Sequence, residues 1–397
     1  MFKKIMILLW LLPAVISTGL RAQNNDFDAW KHSFRTQAEE AGILPGFLDT
    51  ILPRMALLPA VIVSDRKQPE FVSTFWDYIT RAISQRRIVQ GRDMLRQHRR
   101  ILNKIAEKYA VPPHYIIAFW GLETNYGTYQ GGIDTLNALT TLAYDARRRT
   151  FFTKELIAFL KIMQQEQAPF YQGSWAGAFG HFQFMPTTFQ AYAVDFDGDG
   201  KRDVVNSLPD AFASAANYLS RMGWQKNMRW GREVRLTQPL NWNDIHAPTP
   251  KTLSYWQEHG VLPLDRNTFP KDTLAVPARL ILPVGVKGPA YLAYKNFDII
   301  MRWNKSELYA LAVGLLADKI AYPAAQLPQS DGTGQISTEM VKTAQLHLTR
   351  LGYYAGAIDG QLGSGTKKSL RAYQAKTGLP QDGYLTPALL NQIQEEP

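Results

Sequence analysis

Glu123 is the residue in this 397-residue chain whose type and setting point most directly to chemistry. It lies in Val111-Pro112-Pro113-His114-Tyr115-Ile116-Ile117-Ala118-Phe119-Trp120-Gly121-Leu122-Glu123-Thr124-Asn125-Tyr126-Gly127. Proline near the start and Gly127 at the end bracket one helix. On that helix Ile116, Phe119, Trp120 and Glu123 share a face, so the carboxyl closes an apolar stripe that should turn inward. Removal from water disfavours the charged form of a carboxyl, so Glu123 should hold a proton near neutral pH. Lysozyme keeps its general acid protonated by the same device. Taken alone, the helix fits equally well a carboxylate that only satisfies backbone at a helix end.

A second segment tips that balance. In Gly173-Ser174-Trp175-Ala176-Gly177-Ala178-Phe179-Gly180-His181-Phe182-Gln183-Phe184-Met185-Pro186, small residues interleave with aromatics. Backbone without bulky side chains can approach a ligand closely, and Ser174 and Gln183 supply polar groups at fixed intervals. His181 has no partner at metal-ligand spacing and reads as loop packing or a rim contact; metal catalysis is unsupported. Hydrolytic glycosidases set two carboxyls about the scissile bond. Asp134, Asp145 and Glu155 are the nearby candidates for the second, but none sits on a stripe like that of Glu123. One carboxyl suffices if the substrate brings its own nucleophile.

Asp195-Phe196-Asp197-Gly198-Asp199-Gly200-Lys201-Arg202-Asp203 follows the opening of an EF-hand loop, with Asp195, Asp197, Asp199 and Asp203 at positions 1, 3, 5 and 9. Gly200 takes position 6 and the Lys201 carbonyl position 7. Asn206 stands where the bidentate Glu belongs, so the expectation is a weak, structural Ca²⁺ site, with a metal-free Asp-Gly turn as the alternative.

The elements that must position these residues follow from the remaining pattern. Met1-Phe2-Lys3-Lys4, an apolar run from Ile5 to Ile16 and small residues up to Ala22 read as a secretory signal over 1–22. The run is too short for a spanning helix, and stable membrane insertion is not expected. There is no Cys, hence no disulfide framework and no thiol to carry a lipid. The formal charge of +10 stays positive after Lys3, Lys4 and Arg21 leave with the signal, which suits an acidic polymer. Export and the absence of any nucleic-acid-binding signature exclude DNA and RNA as partners. Helical spacing runs through Phe71 to Leu95, Ile101 to Tyr109 and Ser306 to Leu316. Val234 to Leu282, rich in Pro, Asn and Thr, holds short strands or long loops whose order cannot be read.

Residues 23–323 then form one body, 324–336 a polar linker punctuated by Pro and Gly, and 337–397 a small terminal domain. That tail contains a repeat: Gly356-Ala357-Ile358-Asp359-Gly360 is echoed by Gly378-Leu379-Pro380-Gln381-Asp382-Gly383, each turn leading to a helix. Leu346, Leu348, Leu351, Leu370, Tyr373, Leu389 and Leu390 are its expected core.

Through Leu351-Gly352-Tyr353-Tyr354, Asp359-Gly360, Gly365-Thr366 and Leu370-Arg371-Ala372-Tyr373-Gln374, the tail resembles peptidoglycan-binding domains of the three-helix repeat type. The body resembles the lytic murein transglycosylase B family. The likeness is carried by Gly121-Leu122-Glu123-Thr124-Asn125-Tyr126-Gly127 and Gly177 to Pro186, and by Asp65-Arg66-Lys67-Gln68-Pro69-Glu70-Phe71, Arg147-Arg148, Asn217-Tyr218 and Asn304. It implies a mainly α chain: a lysozyme-like α+β catalytic body with a small three-helix peptidoglycan-binding domain. It further implies that Glu123 is the acid/base and that Ser174, Gln183, Tyr218, Asn304 and Tyr309 line the sugar groove. Arg147 and Arg148 would face the peptide-bearing side, and Asp210 would be the last cation ligand. Trp303 departs from the Tyr that some members carry. The implied reaction cuts the MurNAc-GlcNAc β-1,4 bond of peptidoglycan without water and without a catalytic cofactor, leaving 1,6-anhydro ends. The implied setting is the periplasm of a Gram-negative bacterium, as a soluble protein. A hydrolytic muramidase and a catalytically silent wall-binding scaffold are the alternatives.

Overall fold

The computed structural model describes residues 14–67, 74–166, 171–325 and 336–397, with side chains from Asp26 onward except that of Lys67. The expected signal over 1–22 and most of the expected linker over 324–336 therefore lie outside the described residues. The chain forms two compact units, residues 1–67 with 130–191, and residues 68–129 with 192–397.

The first unit is built on the helices Ala14–Glu40, Pro45–Ile51, Pro59–Lys67, Thr135–Tyr144 and Arg149–Gln165. Leu136, Leu139, Leu142, Phe152, Leu156, Phe159, Phe179 and Phe189 fill its core. Asp134 accepts the Asn137 amide at 2.8 Å and so caps the Thr135–Tyr144 helix. Two side chains of that helix hold the connection before Pro59: Asn137 accepts from Ala56 N and Thr141 from Leu58 N, each at 2.8 Å. Ile133–Asp134 pairs antiparallel with Gln172–Gly173. Glycine is obligatory in that pair, because a Cβ at Gly173 would lie 2.3 Å from the Ala178 carbonyl oxygen.

In the second unit the Pro113–Thr124 helix is buried at every position from Tyr115 to Gly121. The expected single stripe is thus wrong in form: Ile117 and Ala118, off the stripe, are as buried as Ile116 and Phe119. A helix apolar all round belongs inside a core, and this one packs against Gln85–Gln97, Arg99–Tyr109, Leu208–Arg221 and Glu307–Ala321. The helical spacing from Phe71 to Leu95 is two helices, Phe75–Ala82 and Gln85–Gln97, separated because Ser84 leaves the helix and accepts the Arg87 amide as an N-cap. Residues 71–73 lie outside the described residues.

The stretch that sequence could not order forms an antiparallel sheet. Its strands run in the order Lys251–Thr252, Pro277–Ile281, Ala290–Ala293, Gly231–Leu236 and Val261–Pro263. Val234 opposes Ala290 and Glu233 opposes Tyr291. Val234, Leu253, Trp256, Val261, Leu280 and Leu292 form an apolar cluster under one face.

The tail consists of the helices Thr338–Arg350, Ser364–Lys376 and Pro387–Glu395 around Leu348, Leu370, Tyr373, Leu385, Leu389, Leu390 and Ile393. Leu351 packs against that cluster, but Leu346 is 55% exposed and is not core. The repeat is exact enough to share one polar device. Gln345 donates to Asp359 at 2.8 Å and accepts the Gly360 amide at 2.9 Å. Gln374 donates to Asp382 at 2.7 Å and accepts the Gly383 amide at 2.8 Å. Each buried amide therefore fastens one Asp-Gly turn to a helix.

Candidate active site

Glu123 occupies the last turn of the Pro113–Thr124 helix, which ends as Asn125 turns left-handed at φ 49°. Its Oε1 accepts the Trp303 indole N–H at 2.9 Å and also the Tyr309 hydroxyl. Both donors come from one corner. The Lys295–Trp303 helix stops at Asn304, whose Oδ1 accepts the Ser306 amide at 3.0 Å. Ser306 then caps the Glu307–Ala321 helix by accepting the Tyr309 amide at 3.3 Å. Capping thus fixes where Tyr309 enters and where Trp303 leaves.

Aromatic rings pack around the carboxyl. Phe119 lies 4.7 Å from Trp303 and 6.2 Å from Tyr309, centroid to centroid. Tyr218 meets Trp303 edge to face at 5.0 Å, with its hydroxyl donating to the Arg302 carbonyl at 2.9 Å. Burial pushes Glu123 up to about 7, against the opposing pull of the hydrogen bonds from Tyr309 and Trp303. The Tyr309 phenol is raised well above its ordinary value, by burial first and by the nearby Glu123 charge second, so it remains a donor. Glu123 itself is half-buried, which leaves it a route to a ligand.

The structure thus brings Glu123, Tyr309 and Tyr218 together, with Asn304 exposed at the corner that carries them. Trp303 is the residue at this carboxyl that sequence reasoning undervalued, because it was noted only as a departure from the Tyr that some family members carry. The available signal was chemical: an indole is a donor with no acceptor.

Ser174 and Gln183 belong to the first unit. Ser174 closes a tight turn, its amide donating to Ala178 O at 2.8 Å and its hydroxyl accepting the Ala178 amide at 3.1 Å. Gln183, left-handed at φ 49°, donates its amide N–H to Gln130 O at 2.8 Å and to Gly180 O at 3.1 Å. His181 is buried beside Gln130, as loop packing requires. Arg147 and Arg148 both grip Asp65, which is 2% exposed. Arg147 holds it through Nε at 2.9 Å and also binds the Asp65 carbonyl at 2.8 Å. A double ion pair is therefore their main contact here.

The other carboxyls have their own employment. Glu155 is buried and accepts the Thr187 amide at 2.9 Å and hydroxyl at 2.7 Å. Asp145 accepts the Arg147 amide at 3.1 Å, and Asp134 is a helix cap.

In the acidic loop, carboxylate oxygens of Asp195, Asp197 and Asp210 lie within 4.8 Å of one another. Asp210 is fully buried and accepts the amides of Phe196 at 2.7 Å and Asp203 at 2.9 Å, a placement that folds the loop over it. Burial raises its pKa, and Asp197 adds to the rise. Asp199 stands outside this group, exposed, accepting the Lys201 amide at 2.8 Å.

Comparison with known proteins follows the same lines. The family model described as transglycosylase SLT domain matches residues 26–318, and a peptidoglycan binding domain model matches residues 337–393. The membrane-bound lytic murein transglycosylase B of Escherichia coli (strain K12) is 32% identical over 302 residues, covering 75% of this chain and 81% of that protein. SltB3 from Pseudomonas aeruginosa, solved in complex with NAG-anhNAM-pentapeptide, is 41% identical with a TM-score of 0.86, over 93% of this chain and 99% of that one. The Escherichia coli lytic transglycosylase Slt35, solved in complex with calcium, is 28% identical with a TM-score of 0.63, over 75% of this chain and 94% of that one.

Proposed function

This chain belongs to the transglycosylase SLT domain family of lytic murein transglycosylases, and we propose that Glu123 carries out both proton transfers of their reaction. The protein is a lytic transglycosylase that acts on peptidoglycan glycan strands. The observation that carries the assignment is a single enclosed carboxyl, raised to about 7 and held by two neutral donors on one oxygen.

Because Trp303 and Tyr309 both donate to Oε1, the proton of the acid form belongs on Oε2. From there it passes to the glycosidic oxygen as the bond between that oxygen and the MurNAc C1 breaks. The carboxylate left behind, steadied by the same two donors, takes the proton of the sugar's 6-hydroxyl as O6 bonds to C1. Glu123 ends protonated, ready for another cycle. No water is consumed, and the product is a 1,6-anhydro end. Phe119, Trp303 and Tyr218 exclude water around the carboxyl, and Tyr218 and Asn304 supply polar groups to the sugar side. In the other unit, Ser174 and Gln183 are the polar side chains that the glycine-rich loop offers a glycan.

Mass spectrometry of digested sacculi tests the reading. Wild type should release muropeptides lighter by one water than reducing-end products, and Glu123→Gln should release none while still sedimenting with sacculi. Reducing ends from wild type would reject transglycosylation in favour of hydrolysis; anhydro product from the Gln variant would reject Glu123.

The rest of the reading concerns setting. Export to the periplasm is supported by the 1–22 pattern and by a substrate that lies outside the cytoplasm. A body over 23–323, a linker over 324–336 and a binding module over 337–397 agree with where the two family models match. Asp195, Asp197 and Asp210 fit a structural Ca²⁺, since three carboxylates this close repel one another unless a cation joins them. A bound ion would rigidify the loop before the Leu208–Arg221 helix, the helix that carries Tyr218.

A further inference from the structure

The terminal module is seated on the sheet through its second repeat. Asp382, whose Oδ1 is held by Gln374, accepts the Val286 amide on Oδ2 at 3.1 Å, and the Gln381 carbonyl meets the His246 ring at 3.0 Å. A side chain at Gly285, φ 76°, would place its Cβ 2.6 Å from that same Asp382 oxygen, so glycine is what lets the turn approach. Beside this seam a cleft of about 720 Å³ remains open, walled by Trp76, the Val284–Pro289 turn and the start of the Pro387–Glu395 helix. Its size falls within the roughly 300–1,000 Å³ of small-ligand sites.

Two charged groups in the cleft are unemployed. Glu233, half-buried on its strand, has no side-chain hydrogen bond or ion pair among the described residues. Opposite it, the hydroxyl of fully buried Tyr291 likewise has no partner among them. Lys287 stands exposed at the turn, also without an ion pair among the described residues. A carboxylate withdrawn from water without a partner costs stability, and proteins keep such groups where a ligand supplies the missing charge. Glu233 and Asp382 against Lys287 leave the cleft acidic on a basic protein, so it selects an amine, while Lys287 suits a carboxylate on the same ligand. Trp76, Pro289 and Pro387 add apolar walls for a short backbone.

We infer that this cleft binds the amine-bearing peptide stem of peptidoglycan, with Glu233 taking the free amine of a diamino acid and Lys287 a carboxylate. The site needs both the sheet and the module, so the module contributes a pocket as well as a wall-binding surface. The inference rests on the peptidoglycan reading above, but concerns a site distinct from Glu123.

The test is calorimetric titration of the full chain with the tripeptide L-Ala-γ-D-Glu-meso-diaminopimelate, and with the same peptide acetylated on its free side-chain amine. Wild type should bind the free-amine peptide, and acetylation or Glu233→Gln should weaken binding by about tenfold or more, the scale of one charge-assisted hydrogen bond. Glu233→Gln removes an unpaired charge, so its melting temperature should not fall. Ala388→Trp, which fills the cleft from an exposed helix position and leaves Glu233 intact, should also abolish binding. No binding by wild type, equal binding of both peptides, or undiminished binding by either variant would overturn the inference. Product analysis separates the two claims: anhydro ends without tripeptide binding sink the cleft alone, whereas reducing ends sink the transglycosylase reading whatever the cleft binds.

Discussion

Replacing Glu123 by Gln should make the folded protein more stable at alkaline pH while abolishing its chemistry. The carboxyl has an ordinary value of 4.5 and is raised by burial to about 7 in the fold. A group raised on folding stabilises fully below its unfolded pKa, and that contribution is lost as pH climbs through the folded value. At pH 8 the wild type must therefore bear an enclosed charge. A shift of this size, at about 1.4 kcal/mol per pH unit, corresponds to roughly 3 kcal/mol as an upper bound. Gln carries no charge at any pH, and its carbonyl can take the Oε1 position and accept from both Trp303 and Tyr309. Its NH₂ then stands where the acid form holds its proton. Thermal melts of both proteins at pH 4, 6 and 8 should show near-equal stability at pH 4 and a growing advantage for Gln above it. At about 2–4 °C per kcal/mol, the advantage at pH 8 amounts to several degrees. A variant no more stable than wild type at pH 8, with a difference indifferent to pH, would mean that Glu123 ionises freely. It could not then serve as the acid.

Other perturbations bear on the same construction. Trp303→Phe keeps the ring but removes one donor from the ionised carboxyl, so the alkaline limb of kcat/KM, expected near the Glu123 value of about 7, should move up by about one pH unit; an unmoved limb would make Trp303 packing only. Millimolar Ca²⁺ should raise the melting temperature of wild type but not of Asp195→Ala/Asp197→Ala, by the mass-action stabilisation of a ligand that binds only the folded state; no calcium effect on wild type would leave the loop a plain turn. Truncation before Ile336 should leave activity on soluble glycan fragments while weakening sedimentation with sacculi, because the module supplies local concentration; equal sedimentation would refute that role.

What sequence disclosed here, and what it withheld, follows from how far each signal reaches along the chain. Glu123 was legible because its helix and its apolar neighbours are local, so spacing alone aims a carboxyl inward on the face that carries Phe119. Even so, the single stripe was a misreading: Ile117 and Ala118 are equally buried, and only the packing of four other helices reveals that every face is covered from Tyr115 to Gly121. The hydrogen-bond partners of Glu123 were the least legible, since Trp303 and Tyr309 lie about 180 residues away and their approach depends on the Asn304–Ser306 corner. The strands between Val234 and Leu282 were hidden for a related reason: they are short, and their central partner, Ala290–Ala293, falls outside the stretch that looked strand-like. The terminal repeat shows the opposite case. There Asp359-Gly360 and Asp382-Gly383 announced two equivalent turns, and the buried amides of Gln345 and Gln374 explain the equivalence. Local chemistry therefore identified what could react, whereas the geometry that tunes Glu123 was set by contacts between segments that only the fold brings together.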